Sequence, residues 1–440
     1  MAHADVVKRA ALVLEAFLGG FYVSVTRGLF VPMLSYSGYS VELLSRVLLP
    51  TSIGGILVSL GLYTKPGMLT DSFKYSLISL HVIERVTWFS LPFFLGDPML
   101  ISAAYLLANL VSAIVSIAVG ALIFSILGTE EVMEVSVHRS AASSAASLLG
   151  SIFMTSVSAG VEPPHSYYLC YTTAMLIGLS SSLSLLLIPR IPSRIVEVSA
   201  ETSEEVKVRS SSALLVLSLM LAGGNMVGIA WSPFLREMGA PIYLAVALSV
   251  TGNLGGAIGS YLWRGYRAYV IAILLNTLIT LAIPLVTVPT HHIGISFLAS
   301  LTFTGANLLG MQIFSEVNKR LGRMRASAYL TSSNYIGLLL ATLISMIGML
   351  KPSQLLITAG VLKLSALALA LLTVPEAAVI PARRAYEMSR MIYSTSLLGY
   401  SFTLQASKEF LRMMLAALAL TTLAVLLYTI YRITTVLLGM

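Results

Sequence analysis

The two halves of this 440-residue chain are related to each other, and this internal repeat limits the folds that the chain can adopt. A shift of 201 residues places six residues on identical residues of the second half: Pro32 on Pro233, Leu34 on Leu235, Gly38 on Gly239, Leu43 on Leu244, Gly54 on Gly255 and Gly55 on Gly256. A shift of 187 residues places Ser140, Ala141 and Gly150 on Ser327, Ala328 and Gly337. A membrane protein built from two copies of one unit usually holds its functional site where the copies meet.

The repeat lies in a chain that is too apolar to be a soluble protein of this size. Hydrophobic residues make up 57% of it and charged residues 10%, whereas a soluble domain carries about 25% charged residues. The mean hydropathy is +0.88. Long apolar runs with few Gly/Pro-rich hairpins favour helices as the spanning elements. We therefore predict an all-α polytopic membrane protein with the lipid bilayer as its main surroundings.

Apolar segments long enough to span a bilayer recur along the chain, since a core of about 30 Å needs roughly 20 helical residues. Six fall within residues 10–189 and six within residues 212–375, which predicts two six-helix bundles. The polar stretch 190–211 is predicted to be a cytoplasmic linker between them. Residues 376–410 are typical of an amphipathic helix at the membrane interface, and residues 411–432 of a thirteenth spanning helix.

The distribution of Lys and Arg predicts the orientation of the chain. With the N-terminus in the cytoplasm, 20 of the 27 Lys and Arg residues fall on the inner side, four on the outer side and three within helices. Inner loops of membrane proteins carry such an excess. The sequence therefore predicts a multi-pass protein of the cytoplasmic membrane. The same bias explains the formal charge of +8 without a nucleic-acid partner.

The sequence carries no signature of an enzyme or of a cofactor site. The single cysteine, Cys170, excludes an intramolecular disulfide and a metal cluster built on cysteines. His291 and His292, like residues 162–165, fall in predicted solvated outer loops and lack the i, i+4 spacing of metal ligands on a helix. Phosphate-binding glycine loops and protease motifs are also missing. We predict no enzyme activity, no cofactor and no metal.

Two local patterns, together with the six-plus-six arrangement and the charged linker, resemble the major facilitator superfamily. The fifth and the eleventh segments begin with the same pattern: a basic residue, then small residues, then a glycine. The residues are Arg139, Ser140, Ala141, Ala142 and Gly150 in the fifth segment, and Arg325, Ala326, Ser327 and Gly337 in the eleventh. The loop after the second segment, residues 61–67, keeps the glycines of the family motif, and residues 259–267 keep its glycines and basic residues. The acidic residue of that motif is absent from both copies, where Lys65 and Trp263 stand.

The resemblance covers roughly residues 10–375 and implies two bundles that rock about a site near the membrane midplane. It implies a secondary active transporter that moves a small neutral or anionic solute by alternating access, with proton coupling as a further hypothesis. The missing acid normally helps to lock the outward-facing state, so the gate of this chain is expected to be held differently. The glycine–proline motif of drug/proton antiporters is absent, which disfavours that activity.

Two other functions remain open at this point. One is a non-transporting membrane scaffold or assembly partner that kept the fold, and the other is a flippase for lipids or lipid-linked sugars. A polar chamber at the midplane would favour solute transport. A closed apolar seam would favour the scaffold, and a cavity open sideways to lipid would favour the flippase.

Helices one, four, seven and ten line the cavity in this family, so their polar and aromatic residues are candidate solute contacts. Arg27 can bind a carboxylate or phosphate, unless it forms a structural ion pair or extends to the outer interface. Few acids occur among these residues, which disfavours a cationic solute. An intramembrane Asn is alternatively a hydrogen bond between helices. The candidate contacts are Tyr22, Thr26, Arg27, Tyr105, Asn109, Asn225, Trp231, Asn307 and Gln312.

Ionisable residues within membrane helices are costly to bury and are candidates for proton coupling. These are Glu15 in the first segment and His81, Glu84 and Arg85 in the third, where the spacing places His81 beside both charges. The alternatives are a Glu15 carboxylate near the cytoplasmic headgroups and a Glu84–Arg85 pair satisfied by neighbouring helices. Lys363, in the twelfth segment, is expected to face the thirteenth helix or a partner.

Overall fold

A computed structural model describes residues 2–65, 73–127, 129–188, 204–321, 323–348 and 350–374, and the short pieces 377–378, 381–391 and 393–394. Most of the predicted linker and the whole predicted thirteenth helix lie outside the described residues. Residues 382–391 are helical, with Arg383 and Glu387 exposed and Ser389 buried against Ser212. One face of this short helix therefore contacts the start of the second bundle.

Two sets of six long helices make up the described chain. The first set is α1 Ala2–Tyr36, α2 Val41–Thr64, α3 Phe73–Ser90, α4 Pro98–Ile126, α5 Thr129–Gly160 and α6 His165–Ser184. The second set is α7 Glu204–Glu237, α8 Ile242–Leu262, α9 Tyr266–Ala282, α10 His291–Leu321, α11 Arg323–Ile347 and α12 Pro352–Thr373. The described residues contain no strand, so the predicted all-α fold is confirmed.

Eleven of these helices are long and apolar enough to cross a membrane by length and composition. The exception is α3, whose 18 residues include Lys74, Glu84 and Arg85. Several helices begin earlier than the apolar segments predicted: α1 at Ala2, α5 at Thr129 and α7 at Glu204. Hydropathy marks only the part of a helix that lies in lipid, whereas backbone hydrogen bonding continues into polar sequence.

The repeated glycines form the same turn in both halves. Gly38, after α1, has a φ of 98°, and Gly239, after α7, has a φ of 75°. The following amide donates back into the helix in both cases, from Tyr39 to the Leu34 carbonyl at 3.1 Å and from Ala240 to the Leu235 carbonyl at 3.0 Å. Glycine adopts a positive φ without steric cost, which explains its presence at both positions.

The repeated glycines inside helices also make equivalent contacts. A Cβ added at Gly150 of α5 would lie 2.9 Å from the Phe21 carbonyl oxygen of α1, and one at Gly337 of α11 would lie 2.8 Å from the Ala222 nitrogen of α7. Phe21 and Ala222 are themselves related by the 201-residue shift. Each half therefore packs its first helix against its fifth in the same way, at a distance that only glycine permits.

The two bundles meet along a seam formed by α2 with α11, α5 with α8, and α1 with α7. At one end, the Tyr36 hydroxyl donates to the Ala240 carbonyl at 2.8 Å, and Arg236 donates to the carbonyls of Ser35 and Tyr39, the latter at 3.4 Å. The acceptors at positions 39 and 240 are equivalent under the repeat, whereas the donors Tyr36 and Arg236 are not. We call this set of hydrogen bonds the α1–α7 latch. It lies on the side that the Lys and Arg distribution predicts to be external.

Candidate functional site: polar cavities between the bundles

Three cavities have Arg27 in their walls, two along the seam between the bundles and one inside the first bundle. One, the bundle cavity of about 490 Å³, runs inside the first bundle from Arg27 to Glu15 and Arg139. The α8 cavity, about 510 Å³, lies between α1, α5, α8 and α10 and includes Asn253. The α11 cavity, about 420 Å³, lies between α1, α4, α7 and α11 and includes Asn225. Each falls in the range of about 300–1,000 Å³ typical of small-molecule sites.

Arg27 is the residue that these cavities have in common. It lies nine residues before the end of α1 at Tyr36, or about 14 Å at 1.5 Å per residue, which is close to the middle of a bilayer core. Its side chain is exposed to the cavities, and Cζ is 6.0 Å from the centre of the Trp88 ring. Among the described residues it has no ion pair and no hydrogen bond, so its guanidinium is available to an anion.

Three of the other predicted solute contacts lie in the α11 cavity: Tyr105, Asn109 and Asn225. Tyr105 stacks on Phe30 at 4.1 Å, and the Asn109 amide donates to the Tyr105 carbonyl at 2.9 Å within its own helix. The Asn225 Nδ2 is buried with no partner in the described part of the chain. It is therefore an unpaired hydrogen-bond donor on a residue of the cavity wall.

Tyr22 and Thr26 do not face these cavities. Tyr22 is fully buried with its ring 4.5 Å from the Arg85 guanidinium, and the Thr26 hydroxyl donates to the Tyr22 carbonyl at 2.8 Å. The Tyr171 hydroxyl of α6 donates to the Thr26 carbonyl at 3.0 Å. This face of α1 packs on α3 and α6, so the placement of these two residues does not support a contact with solute.

The other predicted contacts in the second half, Trp231, Asn307 and Gln312, are away from the cavities. Trp231 donates to His292 Nδ1 at 3.1 Å, and both side chains are buried. The prediction that His292 lies in a solvated loop was wrong, because α10 begins at His291 and turns the next residue against α7. Asn307 and Gln312 follow further along α10 and are not in the walls of the three cavities.

Four helices bring an ionic cluster together in the bundle cavity. Glu15 of α1 is 6% exposed, and its Oε2 lies 2.8 Å from Arg139 Nη1 of α5. The same Nη1 donates to the Leu12 carbonyl. Glu15 Oε2 accepts no aligned hydrogen bond within the described chain, so its contact with Arg139 is electrostatic. His81 of α3 places Nε2 3.8 Å from Glu15 Oε1 and Nδ1 3.1 Å from the Ser182 hydroxyl of α6.

Glu84 and Arg85 form a buried ion pair one turn further along α3. The Ser112 hydroxyl of α4 donates to the second carboxylate oxygen of Glu84. The sequence left open whether Glu84 and Arg85 form an ion pair that neighbouring helices satisfy, and this pair is present. Both residues nevertheless reach the wall of the bundle cavity, as does His81, although the third helix is not among those that the family resemblance places around the cavity.

The second half contains a neutral counterpart of this contact. Glu84 and Asn276 each lie eight residues before a proline, Pro92 and Pro284, which initiates a short 3₁₀ turn after α3 and α9. The Asn276 amide donates to the Thr302 hydroxyl of α10 at 2.9 Å, as Ser112 of α4 pairs with Glu84. The polar contact repeats between the halves, but its charge does not.

Lys363 lies inside the second bundle. It is 3% exposed, and its Nζ donates to the Thr280 hydroxyl of α9 at 2.8 Å and lies 5.6 Å from the Phe303 ring. The expectation that it faces the thirteenth helix or a partner was therefore wrong. α12 is apolar around most of its circumference, so the sequence did not reveal which side packs inward.

Several residues of the seam were not found by sequence reasoning. Asn253 of α8 donates to the Ser147 carbonyl of α5 at 3.1 Å and lies 3.4 Å from the hydroxyl of Ser24 on α1. Ser116 of α4 and Asn334 of α11 are exposed in the wall of the α11 cavity. Serine is common in these helices, and for neither serine nor asparagine does a spacing mark the residues that face a cavity.

Searches against protein-family models and against curated proteins gave no match. Solved structures do match. A bacterial homologue of the human lysosomal transporter Spinster, inward-facing and occupied, has a TM-score of 0.60 at 13% identity over 87% of this chain and 97% of that one. Its unoccupied form has a TM-score of 0.58 at 13% identity, over 83% and 96%.

The nucleoside transporter NupG matches with a TM-score of 0.57 at 12% identity, over 83% of this chain and 98% of that one. These neighbours are transporters rather than enzymes, and at such low identity they establish the fold alone. The repeated turns, the equivalent helix contacts and these matches agree with the resemblance seen in the sequence. The chain is a multi-pass membrane protein with the fold of the major facilitator superfamily.

Proposed function

We propose that this protein is a secondary active transporter that moves a small neutral or anionic solute across the cytoplasmic membrane by alternating access. The observation that carries the proposal is the exposed guanidinium of Arg27, which lies near mid-membrane where the cavities between the bundles meet. A guanidinium binds a carboxylate or phosphate through paired, charge-assisted hydrogen bonds. The structural neighbours are transporters, which supports the same class of function here.

The polarity of the cavity walls supports solute transport over a non-transporting scaffold. Arg27, Asn109 and Asn225 line the α11 cavity, which is the polar chamber expected of a solute transporter. A buried donor without a hydrogen-bond partner, such as Asn225 Nδ2, lowers the stability of the protein, and a scaffold has no function for it. The scaffold and the flippase are kept as alternative functions. The transport experiment below includes a result that would support the scaffold.

The seam suggests which side the cavities open to. The α1–α7 latch joins the bundles at one end, and the bundle cavity runs away from that end, from Arg27 to Glu15. These two residues are 12 positions apart, or about 18 Å along α1. With a cytoplasmic N-terminus, the cavity leads toward the cytoplasm and the conformation is inward-facing.

Proton coupling, as a part of this proposal, involves Glu15 and His81. A proton on Glu15 removes its attraction for Arg139, which connects α1 with α5. α5 in turn carries Ser147, whose carbonyl accepts the seam hydrogen bond from Asn253. Protonation thus acts on helices that form the seam, and it can favour one arrangement of the bundles over the other.

A solute screen followed by transport in proteoliposomes tests the proposal. Solutes that raise the melting temperature of the purified protein are identified first, because a ligand of the folded state stabilises it. Arg27→Gln is expected to abolish saturable uptake of the resulting solute, whereas Arg46→Gln, at an exposed surface pair with Glu42, is expected to retain it. Unchanged KM and Vmax in Arg27→Gln would remove that residue from the site. Folded protein that moves no stabilising solute would support the scaffold.

The coupling hypothesis has its own measurement. Glu15→Gln is expected to keep exchange of solute across the membrane but to lose accumulation driven by a pH gradient. Glu42→Gln, at the exposed pair on α2, serves as the control and is expected to accumulate solute normally. Equal accumulation by both variants would show that Glu15 does not couple transport to protons.

A further inference from the structure

The charges in the walls of the three cavities balance except for one. Among the described lining residues, the bundle cavity contains Arg27, Arg85 and Arg139 against Glu15 and Glu84. In the α8 and α11 cavities, Arg27 is the one charged residue among the described lining residues. Arg139 is beside Glu15 and Arg85 is paired with Glu84. In the solute-binding state, before Glu15 takes up a proton and with His81 neutral, one positive charge is therefore left over.

This remaining charge lies where closure of the bundles would remove water. Arg27 is exposed in the present conformation and can be hydrated. In an alternating-access cycle the cavities close around the solute, and a guanidinium without a counter-ion is then costly at mid-membrane. One negative charge on the solute cancels the excess. A neutral solute leaves it in place, and a doubly negative solute reverses it.

From this balance we propose that the solute is a small organic monoanion whose anionic group binds Arg27. The inference rests on the proposed transport function and narrows it, because it excludes neutral solutes. The rest of the solute would lie in the α11 cavity, where Asn225 Nδ2 has no partner in the described chain and Ser116 and Asn334 are exposed. Apolar side chains such as Leu48 and Leu338 complete the wall. A monocarboxylate with a short uncharged body fits this chemistry.

Isosteric compounds that differ only in charge test the proposal. Benzoate, benzamide and benzamidine form one anionic, neutral and cationic set, and acetate, acetamide and acetamidine form a smaller one. Pyruvate extends the monocarboxylates, and phthalate provides a dianion. The readout is the melting temperature of the purified full chain over a concentration series at constant ionic strength. At least one monocarboxylate is expected to stabilise the protein saturably, with the matching amide and amidine at least tenfold weaker.

Variants identify the residue responsible for the charge preference. Arg27→Gln is expected to weaken binding of the monocarboxylate about 10- to 100-fold, in line with the loss of a charged hydrogen bond, and to abolish the preference over the amide. Arg46→Gln, which removes an exposed positive charge, is expected to behave like the unaltered protein. Three results overturn the inference: no saturable stabilisation by any of the monocarboxylates, equal or tighter binding of the amide or of phthalate, or a preference that survives Arg27→Gln.

Cysteine labelling separates failure of this inference from failure of the transport function. Ser116→Cys introduces a thiol at the α11 cavity, and Cys170→Ala removes the buried native thiol from the background. A transporter exposes the new thiol to an impermeant maleimide from either side of the membrane, because the seam alternates. Labelling from both sides, without a preference for monocarboxylates, would overturn the inference that the solute is a monoanion and would leave the transport function in place. Labelling from one side only would overturn the transport function.

Discussion

Replacing Gly55 by alanine tests whether α2 and α11 are in direct contact across the seam. A Cβ at this position would lie 2.2 Å from Tyr335 Cδ1, whereas ordinary contacts begin at 3.4 Å, so the ring or a helix must move by about 1.2 Å. The ring has little freedom, because Tyr335 is 7% exposed and its hydroxyl donates to the Asn109 carbonyl at 3.3 Å. Alanine is therefore expected to destabilise the protein here.

The magnitude follows from a matched position in the same helix. Overpacking of this kind costs about 1–3 kcal/mol, and losing the Tyr335 hydrogen bond costs about 0.5–1.5 kcal/mol. Alanine gains about 1 kcal/mol over glycine within a helix, which offsets part of this cost. Gly61→Ala receives that gain without a clash against the described part of the chain, where no atom lies within 4 Å of the added Cβ. Gly55→Ala is therefore expected to be less stable than Gly61→Ala by about 2–4 kcal/mol.

Unfolding of both variants in mixed micelles with increasing SDS measures this difference. The double variant Gly55→Ala with Tyr335→Ala removes the clash and is expected to show a favourable coupling between the two substitutions. If Gly55→Ala is as stable as Gly61→Ala, the two helices are not in contact at this level and the described seam is wrong. Destabilisation without coupling to Tyr335 would place the cause elsewhere.

Three further predictions concern the seam and its turns. Arg236→Gln removes a charged hydrogen-bond donor of the α1–α7 latch, which is worth about 1.5–3 kcal/mol. Spin labels at the ends of α1 and α7 should therefore show a larger population at long distance in this variant, whereas Arg46→Gln should leave the distance distribution unchanged. Asn253→Ala should lower the free energy of unfolding by about 1 kcal/mol, and no loss would indicate that its hydrogen bonds form with water instead. Gly239→Ala, at a φ of 75°, should cost about 1–2 kcal/mol in thermal unfolding, whereas Gly294→Ala in α10 should cost nothing.

The fold was largely predictable because the bilayer imposes it segment by segment. Each span must be apolar over about 20 residues, and hydropathy detects such segments. The chain must also reverse direction between spans, and Gly38 and Gly239 permit this because glycine adopts a positive φ. The repeat then related the two sets of six helices without knowledge of their packing. What hydropathy missed were the helix ends in polar sequence, such as the start of α5 at Thr129, because backbone hydrogen bonds do not require apolar side chains.

The candidate site was predictable only in part. Arg27 stood out because an arginine within a membrane helix is costly, and it lies in all three cavities. Glu15 and His81 were separate candidates for the same reason, and the fold brings them to 3.8 Å. Tyr22 and Thr26 were chosen as polar and aromatic residues of the right helix, yet they face α3 and α6.

The sequence by itself determined the order of the twelve described helices, the relation between the halves and the few charges placed in the membrane. These properties are local, since each depends on the hydrophobicity of one segment or the identity of one residue. The tertiary structure decided which face of each helix meets the seam, which placed Asn253 between the bundles and Lys363 inside one of them. A membrane helix is apolar on nearly every side, so its sequence carries little periodicity to fix its rotation, and packing against neighbours determines it.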